Sequence, residues 1–157
     1  MGLIGLIGRY DHTIDATGRL SIPAKFREYL TAYSEGTVVM TIANMTSCVV
    51  AYPLAEWKVI TDRASQVDQA GTSEDFLKRK DFLRLFYSRA AECQLDKSGR
   101  ILIPAHLKEY AELDKDTVLV GCVNSLEIWD VNKWQEKEAA ILQDAPQLQE
   151  AMARLGI

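Results

Sequence analysis

The sequence predicts an α+β fold built from two pseudo-symmetric halves that pack face to face, with helices at the periphery. A sixteen-residue segment occurs twice, from Asp15 to Leu30 and from Asp96 to Ala111, with eight identical positions. Short runs rich in Val and Ile follow each copy, which is typical of β-strands. Each half is too small to bury a core alone, so we expect the two halves to share one.

Each half begins with a short strand that runs into a turn of pattern D-x-[TS]-G-R. The expected strands are Tyr10–Asp15 in the first half and Ala91–Asp96 in the second. A brief apolar strand leaves the turn, at Leu20–Ile22 or Ile101–Ile103. The duplicated order indicates that both halves adopt the same local fold.

A helix follows each turn, reading "PAKFREYL" in the first copy and "PAHLKEYA" in the second. Proline suits the first position of a helix, where its missing N–H costs nothing. The first helix places Phe26, Tyr29 and Leu30 on one side, and the second places Leu107 and Tyr110 likewise. These faces are predicted to cover the shared core.

Two further strands and a closing helix complete each half. The closing helices are expected to begin near Pro53 and after Asp130, which is a good N-cap residue. The strands are rich in Val and Ile and are expected at Thr37–Ile42, Cys48–Tyr52, Thr117–Val123 and Leu126–Trp129.

The chain therefore divides into four segments, expected at residues 8–57, 58–91, 92–134 and 135–157. The first and third are the repeats. The second is a helical insertion, whose "TSED" at Thr72–Asp75 has capping-box spacing and whose apolar stripe contains Phe82 and Phe86. The fourth is a helical tail that Pro146 should interrupt.

Composition excludes several classes of protein. The net charge of −4 and pI of about 5.2 are unusual for a uniformly basic nucleic-acid binder. Charge is uneven, however: the run from Lys78 to Arg89 has five basic residues against one acidic residue, whereas the chain after Ala111 has nine acidic against four basic. Three cysteines without C-x-x-C spacing fit a reducing cytosol, and no stretch is long enough to span a membrane.

The repeated turn carries the most informative chemistry. Asp15 can accept hydrogen bonds from N–H groups two residues on, and Gly18 can adopt the positive φ that closes the turn. Arg19 then starts the next strand, with its guanidinium either free or paired to Asp15; Asp96, Gly99 and Arg100 repeat the arrangement. Arginine suits phosphate and guanine edges. A structural ion pair that fixes the loop is the alternative.

Other candidate sites are weak. Lys25, Arg27 and Lys108 flank the turns and could contact phosphates or simply be solvated, and the Lys78–Arg89 helix face is more often solvent-exposed than bound to DNA. The two histidines, His12 and His106, have no metal-ligand spacing. His12 aligns with Cys93 across the repeat, but a cysteine on a strand is usually a small buried apolar residue. We expect no catalytic residues, no metal and no cofactor.

The paired segments "DATGRLSIPAKFREYL" and "DKSGRILIPAHLKEYA", with "YPLAEW" and "SRAAECQLD" between them, resemble the MraZ family of bacterial transcriptional regulators. That family has two tandem SpoVT/AbrB-type half-units. The resemblance implies a double-split β-barrel with swapped hairpins and a ring-shaped homo-oligomer. It also implies binding to direct repeats of double-stranded DNA in the promoter of the division and cell-wall gene cluster.

The resemblance places the DNA-contacting turns on Asp15, Arg19, Asp96 and Arg100, with the arginines at the DNA and the aspartates behind them. Together, the turns and their flanks give an expected site of Asp15, Gly18, Arg19, Lys25, Asp96, Lys97, Gly99 and Arg100. The implied protein is cytoplasmic and nucleoid-associated, without a membrane partner. The alternative is a non-enzymatic oligomeric protein-interaction module whose Asp–Arg turns are structural.

Overall fold

The structure, a computed structural model, describes residues 5–43, 46–67 and 74–157. The elements of the first half are β1 (Leu6–Thr13), β2 (Arg19–Ser21), α1 (Ala24–Ser34), β3 (Thr37–Ala43), β4 (Thr46–Pro53) and α2 (Leu54–Val67). The insertion contributes α3 (Glu74–Ser88). The remaining elements are β5 (Ala91–Gln94), β6 (Arg100–Leu102), α4 (Ala105–Tyr110), β7 (Asp116–Val123), β8 (Leu126–Asp130), α5 (Val131–Gln143) and α6 (Ala145–Leu155).

Six of these strands form one antiparallel sheet in the order β1-β7-β8-β4-β3-β5. Strands β1, β3 and β4 of the first half correspond to β5, β7 and β8 of the second. Exchanging each strand for its counterpart reverses the order of the sheet, so the two halves are related by a pseudo-twofold axis at the β8–β4 pair. The first strand of each half pairs outside its own half: β1 pairs with β7, and β5 pairs with β3. The α+β class and the two related halves predicted from the sequence are therefore confirmed.

The remaining two strands, β2 and β6, form a short antiparallel ribbon with one strand from each half. Leu20 lies opposite Ile101, and both face the core, with 0% and 1% of their surface exposed. Because side chains alternate along a strand, the residues on either side of these two point outward. The outward face of the ribbon carries Arg19, Ser21, Arg100 and Leu102.

The main core lies between the ribbon, α1, α4 and one face of the sheet. Phe26 and Leu107, the apolar residues predicted on the two related helices, are both buried there. Tyr10 packs edge-on against Phe26, with ring centroids 5.1 Å apart. Both halves contribute to this single cluster, which is what their small size requires.

The opposite face of the sheet is covered by the helices α2, α3 and α5. Phe86 of α3 is buried and stacks on Trp57 of α2, with ring centroids 5.3 Å apart. Trp129 and Trp134 meet edge to face at 5.5 Å on the related part of the sheet. The aromatic residues near the closing helices thus pack these helices onto the sheet.

Several element boundaries differ from the prediction. The helix α1 continues four residues past Leu30 to Ser34, and Glu35 ends it in the left-handed conformation with φ of 54°. Pro23 and Pro104 stand at the N-cap, one residue before the predicted position. Asp130 is the N-cap of α5, as predicted, and its carboxylate accepts hydrogen bonds from the N–H groups of Asn132 and Lys133.

The insertion and the tail are mainly helical where the structure describes them. Thr72 and Ser73 of the predicted capping box lie outside the described residues, and α3 is described from Glu74 onward. The tail divides into α5 and α6 at Asp144, with Pro146 in the first turn of α6. The helices α2 and α5 continue across the expected segment ends at residues 57 and 134. Among the described helices, none combines the length and hydropathy needed to cross a bilayer.

We predict that Ile101→Ala lowers the free energy of unfolding by about 2–5 kcal/mol, because it leaves a cavity beneath the ribbon. The adjacent Leu102 is 49% exposed and serves as the matched control, so Leu102→Ala should change stability by no more than about 0.5 kcal/mol. Urea denaturation at a fixed protein concentration measures both. Equal losses in the two variants would contradict the inward and outward assignment.

Candidate nucleic-acid interface

The first turn is fixed by the carboxylate of Asp15. Its Oδ1 atom accepts hydrogen bonds from the N–H groups of Thr17 at 2.8 Å and Arg19 at 3.0 Å, and from the Thr17 hydroxyl. The N–H of Gly18 donates to the Asp15 carbonyl, and Gly18 has φ of 83°, a conformation that glycine adopts without strain. The turn therefore has the predicted Asx-type geometry.

The second turn repeats this arrangement. Asp96 Oδ1 accepts from the N–H groups of Ser98 at 2.8 Å and Arg100 at 2.9 Å. Gly99 has φ of 74°, and its N–H donates to the Asp96 carbonyl. Sequence identity at the Asp, Gly and Arg positions thus produces the same backbone geometry in both turns.

Backbone hydrogen bonds hold the two turns side by side. The N–H of Ile22 donates to the Gly99 carbonyl at 3.0 Å, and the N–H of Ile103 donates to the Gly18 carbonyl at 3.1 Å. Each glycine thus anchors the strand that leaves the opposite turn. Two turns that are 81 residues apart in the sequence form one continuous surface around the β2–β6 ribbon.

The ion pairs connect the two turns, and this corrects the prediction for Arg19. Among the described residues, Arg19 forms no ion pair with Asp15 of its own turn; its Nε lies 3.8 Å from Oδ2 of Asp96. Arg100 Nη1 donates to Asp15 Oδ2 at 2.8 Å, and its Nε lies 3.5 Å from Asp96 Oδ2. The Asp96–Arg100 pair was expected, whereas pairing between the halves was not. Sequence spacing could not reveal a partner 85 residues away.

These contacts lower the pKa of both carboxyl groups. The Thr17 hydroxyl is the largest cause for Asp15, followed by the N–H of Arg19, and the pKa of Asp15 falls to about 2. For Asp96, the Arg100 N–H has the largest effect, and the Ser98 N–H and the charges of Arg100 and Arg19 also lower its pKa. Both aspartates are therefore fully ionised near neutral pH and hold the guanidinium groups in place.

The other predicted contact residues lie at the edge of this surface. Lys25 on α1 and Lys97 in the second turn are exposed. Two residues outside the expected site also border the turns. Arg27 packs against Gly99, where it fills the space that a Cβ atom would need, and its Nε is buried without a hydrogen-bond partner among the described residues. Leu102 lies opposite Arg19 on the ribbon.

The sequence did contain a signal for Leu102. Strand alternation puts Leu102 on the same face as Arg100, but Ile101–Ile103 was predicted only as a brief apolar strand, with no face assigned to its residues. Arg27 was recognised as a residue that flanks the turns, but the sequence contained no sign of its contact with Gly99, because that contact joins α1 of one half to the turn of the other.

Among the described residues, the other candidate groups named from the sequence show no features of a catalytic or metal site. The Cys93 thiol is buried and lies 3.5 Å from the carbonyl of Ala91, and burial raises its pKa to about 11, opposite to what a nucleophile requires. Within the ranges that the structure describes, no three His, Cys, Asp or Glu residues cluster in a way that could hold a metal ion. In the basic helix α3, Lys78 and Arg84 pair on the surface with Glu74 and Asp81.

The family model described as "MraZ protein, putative antitoxin-like" matches residues 6–80 and 86–155, which include both turns and nearly all of the chain. The chain belongs to the MraZ family. The resemblance seen in the two repeats is thereby confirmed.

Relatives at about 40% identity carry the same family name. The chain is 40% identical to "Transcriptional regulator MraZ" of Desulfitobacterium hafniense strain Y51 over 151 residues, covering 96% of this chain and 99% of that protein. It is 43% identical to the protein of that name from Lactiplantibacillus plantarum over 134 residues, or 83% and 86% of the two chains. The corresponding protein of Carboxydothermus hydrogenoformans is 42% identical over 128 residues, or 82% of each chain.

We predict that Thr17→Val raises the pKa of Asp15 from about 2 toward its usual range, because the Thr17 hydroxyl is the largest cause of the shift. The folded-state pKa is below the ordinary aspartate pKa of 3.8, so the stabilisation by Asp15 is complete above that pH and is lost as the pH falls through about 2. The variant should lose this stabilisation at a higher pH than the parent protein. NMR titration of the carboxyl carbon, with acid denaturation alongside, measures both effects.

The matched control is Ser98→Ala in the second turn. Asp96 accepts a hydrogen bond from the Ser98 backbone N–H, which this substitution retains, so the pKa of Asp96 should not change. An unchanged Asp15 pKa in Thr17→Val would contradict the assigned cause.

Proposed function

We propose that this MraZ-family chain is a sequence-specific DNA-binding transcriptional regulator without enzymatic activity. The observation that supports it best is the β2–β6 ribbon, with Arg19 and Arg100 on its outward face and both guanidinium groups held by aspartates. Transcriptional regulation is also the role that the names of its relatives give to those proteins.

The geometry of the ribbon suits the major groove of B-form DNA. This groove is about 12 Å wide and admits a two-stranded β-ribbon, whose outward side chains then meet the base edges. A guanidinium has five N–H donors, so Arg100 retains donors for a base after its contacts with Asp15 and Asp96. Bidentate bonding to O6 and N7 of guanine is the commonest specific contact of arginine.

The aspartates beside the arginines favour arginine contacts with DNA bases over non-specific attraction of the arginines to the phosphates. Each arginine on the ribbon has a carboxylate beside it, so the turns add little net positive charge at the DNA. Held side chains lose less conformational entropy when they bind than free ones do, which favours a contact of defined geometry. Exposed Lys25 and Lys97 and the partly buried Arg27 would then contact phosphates and fix the position of the ribbon.

A single subunit with a net charge of −4 would bind DNA weakly, because affinity depends on the number of phosphates neutralised. We therefore include a ring-shaped homo-oligomer in the proposal. Several ribbons on one ring raise the effective concentration at repeated sites. Direct repeats about 10 base pairs apart, in the promoter of the division and cell-wall gene cluster, would present successive major grooves on one side of the duplex.

The proposal also covers the detailed fold and the setting. The exchanged pairing of β1 and β5 supports a double-split β-barrel with swapped hairpins. Residues 8–57 and 92–134 would be the two SpoVT/AbrB-type repeats, residues 58–91 the insertion and residues 135–157 the tail. A regulator of this kind acts in the cytoplasm at the nucleoid.

One observation favours a second candidate function. The ion pairs join the two halves of the chain, as expected if the Asp–Arg turns are structural. In this case the chain would be a non-enzymatic oligomeric protein-interaction module, and its arginines would hold the halves together.

We predict that Arg19→Ala and Arg100→Ala each weaken specific DNA binding by roughly 5- to 150-fold, because a bidentate arginine–guanine pair contributes about 1–3 kcal/mol of discrimination. Binding is measured by fluorescence anisotropy on a duplex selected from a random pool by the parent protein. Arg154→Ala on α6 removes a similarly charged but remote side chain and should have no effect. Retention of parental affinity by the Arg19→Ala, Arg100→Ala double variant would overturn the assigned site.

Asp15→Asn separates the two candidate functions. The change keeps an oxygen acceptor for the Thr17 and Arg19 N–H groups but removes the charge that pairs with Arg100. Exposed ion pairs contribute about 0.2–1 kcal/mol, so we expect intact oligomers and a loss of DNA affinity of no more than about fivefold. Native mass spectrometry and anisotropy measure the two properties. Loss of assembly in this variant, together with a parent protein that binds no DNA, would favour the protein-interaction module.

A further inference from the structure

The outward face of the ribbon departs from the pseudo-twofold symmetry. Arg19 lies directly opposite Leu102, whereas Arg100 lies directly opposite Ser21. Residues directly opposite in an antiparallel pair have Cβ atoms about 4.5–5.5 Å apart. The residue directly across from Arg19 is therefore apolar, and the residue directly across from Arg100 carries a small hydroxyl.

Leu102 is exposed because of its place on the ribbon. It is 49% exposed, whereas its neighbours Ile101 and Ile103 are 1% and 3% exposed. Its Cδ1 lies 3.5 Å from the position that a Cβ on Gly18 would take, so the side chain lies over the first turn, beside Arg19. At the second turn the corresponding place over Gly99 is filled by the cationic side chain of Arg27.

An exposed apolar side chain beside a base-reading arginine has a specific chemical match in the major groove. Each base edge there offers hydrogen-bond donors or acceptors, but thymine also offers a C5 methyl group, which apolar side chains contact. The residue directly opposite Arg19 is the apolar Leu102, whereas the residue directly opposite Arg100 is Ser21; from Arg100, Leu102 is two residues further along the same strand. Leu102, which lies over the first turn and directly across from Arg19, therefore offers a methyl contact there, whereas the place over the second turn holds the cationic Arg27.

We propose that Leu102 is a specificity-determining residue that contacts the methyl group of a thymine next to the base bound by Arg19. This inference rests on the proposed DNA-binding function and adds to it a residue and a base feature. The two turns then read different bases, so the site for one subunit has a direction. A directional site suits direct repeats better than a palindrome, because every subunit meets its repeat in the same orientation.

The experiment uses deoxyuridine, which differs from thymidine only by the missing methyl group. A duplex selected by the parent protein is resynthesised with each thymine replaced in turn, and affinities are measured by anisotropy. We expect one thymine in each repeat whose replacement weakens binding about fourfold, the effect of one buried methyl group. Leu102→Ser should bind the thymine and deoxyuridine duplexes equally.

Ser21→Ala provides the control, because it changes the outward residue opposite Arg100 and leaves Leu102 intact. This variant should keep the fourfold preference for thymine. Thermal unfolding of Leu102→Ser should match that of the parent protein, since the side chain is half exposed.

The outcomes separate this inference from the function on which it rests. If the parent protein binds DNA through Arg19 and Arg100 but no thymine position responds to loss of its methyl group, the role of Leu102 is wrong and DNA binding stands. The same conclusion follows if Leu102→Ser keeps the preference. If the parent protein binds no duplex from the random pool, the proposed function fails and this inference fails with it.

Discussion

The pairing of β2 with β6 is the contact on which the rest of the structure depends. Leu20 and Ile101 meet beneath it in the shared core, and the glycine carbonyls of the two turns accept hydrogen bonds from the opposite half. Neither half could bury these residues alone. The need for a common core therefore brings the two turns together, and the site on the outer surface results from the packing beneath it.

The ion pairs above the ribbon have a different role from the apolar contacts below it. Their side chains are one-third or more exposed, and exposed pairs contribute little to stability. These pairs instead determine the orientation of the arginine side chains. Each aspartate fixes its own turn through Oδ1 and holds an arginine through Oδ2. The same carboxylates thus shape the loops and orient the guanidinium groups, which explains why Asp and Arg occur together in both copies.

The sequence predicted the features that depend on local chemistry. Asp15 bonds to N–H groups two and four residues away, and Gly18 supplies a positive φ, so the turn could be predicted from five residues. The partner of Arg19 could not, because two aspartates are chemically equivalent candidates and only the packing of the halves selects Asp96. The exposure of Leu102 was missed for a similar reason. An apolar strand of three residues does not reveal which face is buried until its partner strand is known.

The two turns share a backbone geometry but not their surroundings, because the core beneath them and the surface above them restrict different residues. The shared core restricts Leu20 and Ile101 to apolar residues, whereas the outward positions next to them carry no such restriction. Ser21 and Leu102 are accordingly the related pair that differs most on the ribbon, while Arg19 and Arg100 are identical. A subunit with an acidic overall charge gains little from non-specific attraction to DNA. Under the proposed function, discrimination between DNA sequences would come from the few side chains on this outward face, and a difference between the two turns would supply more information than two identical turns could.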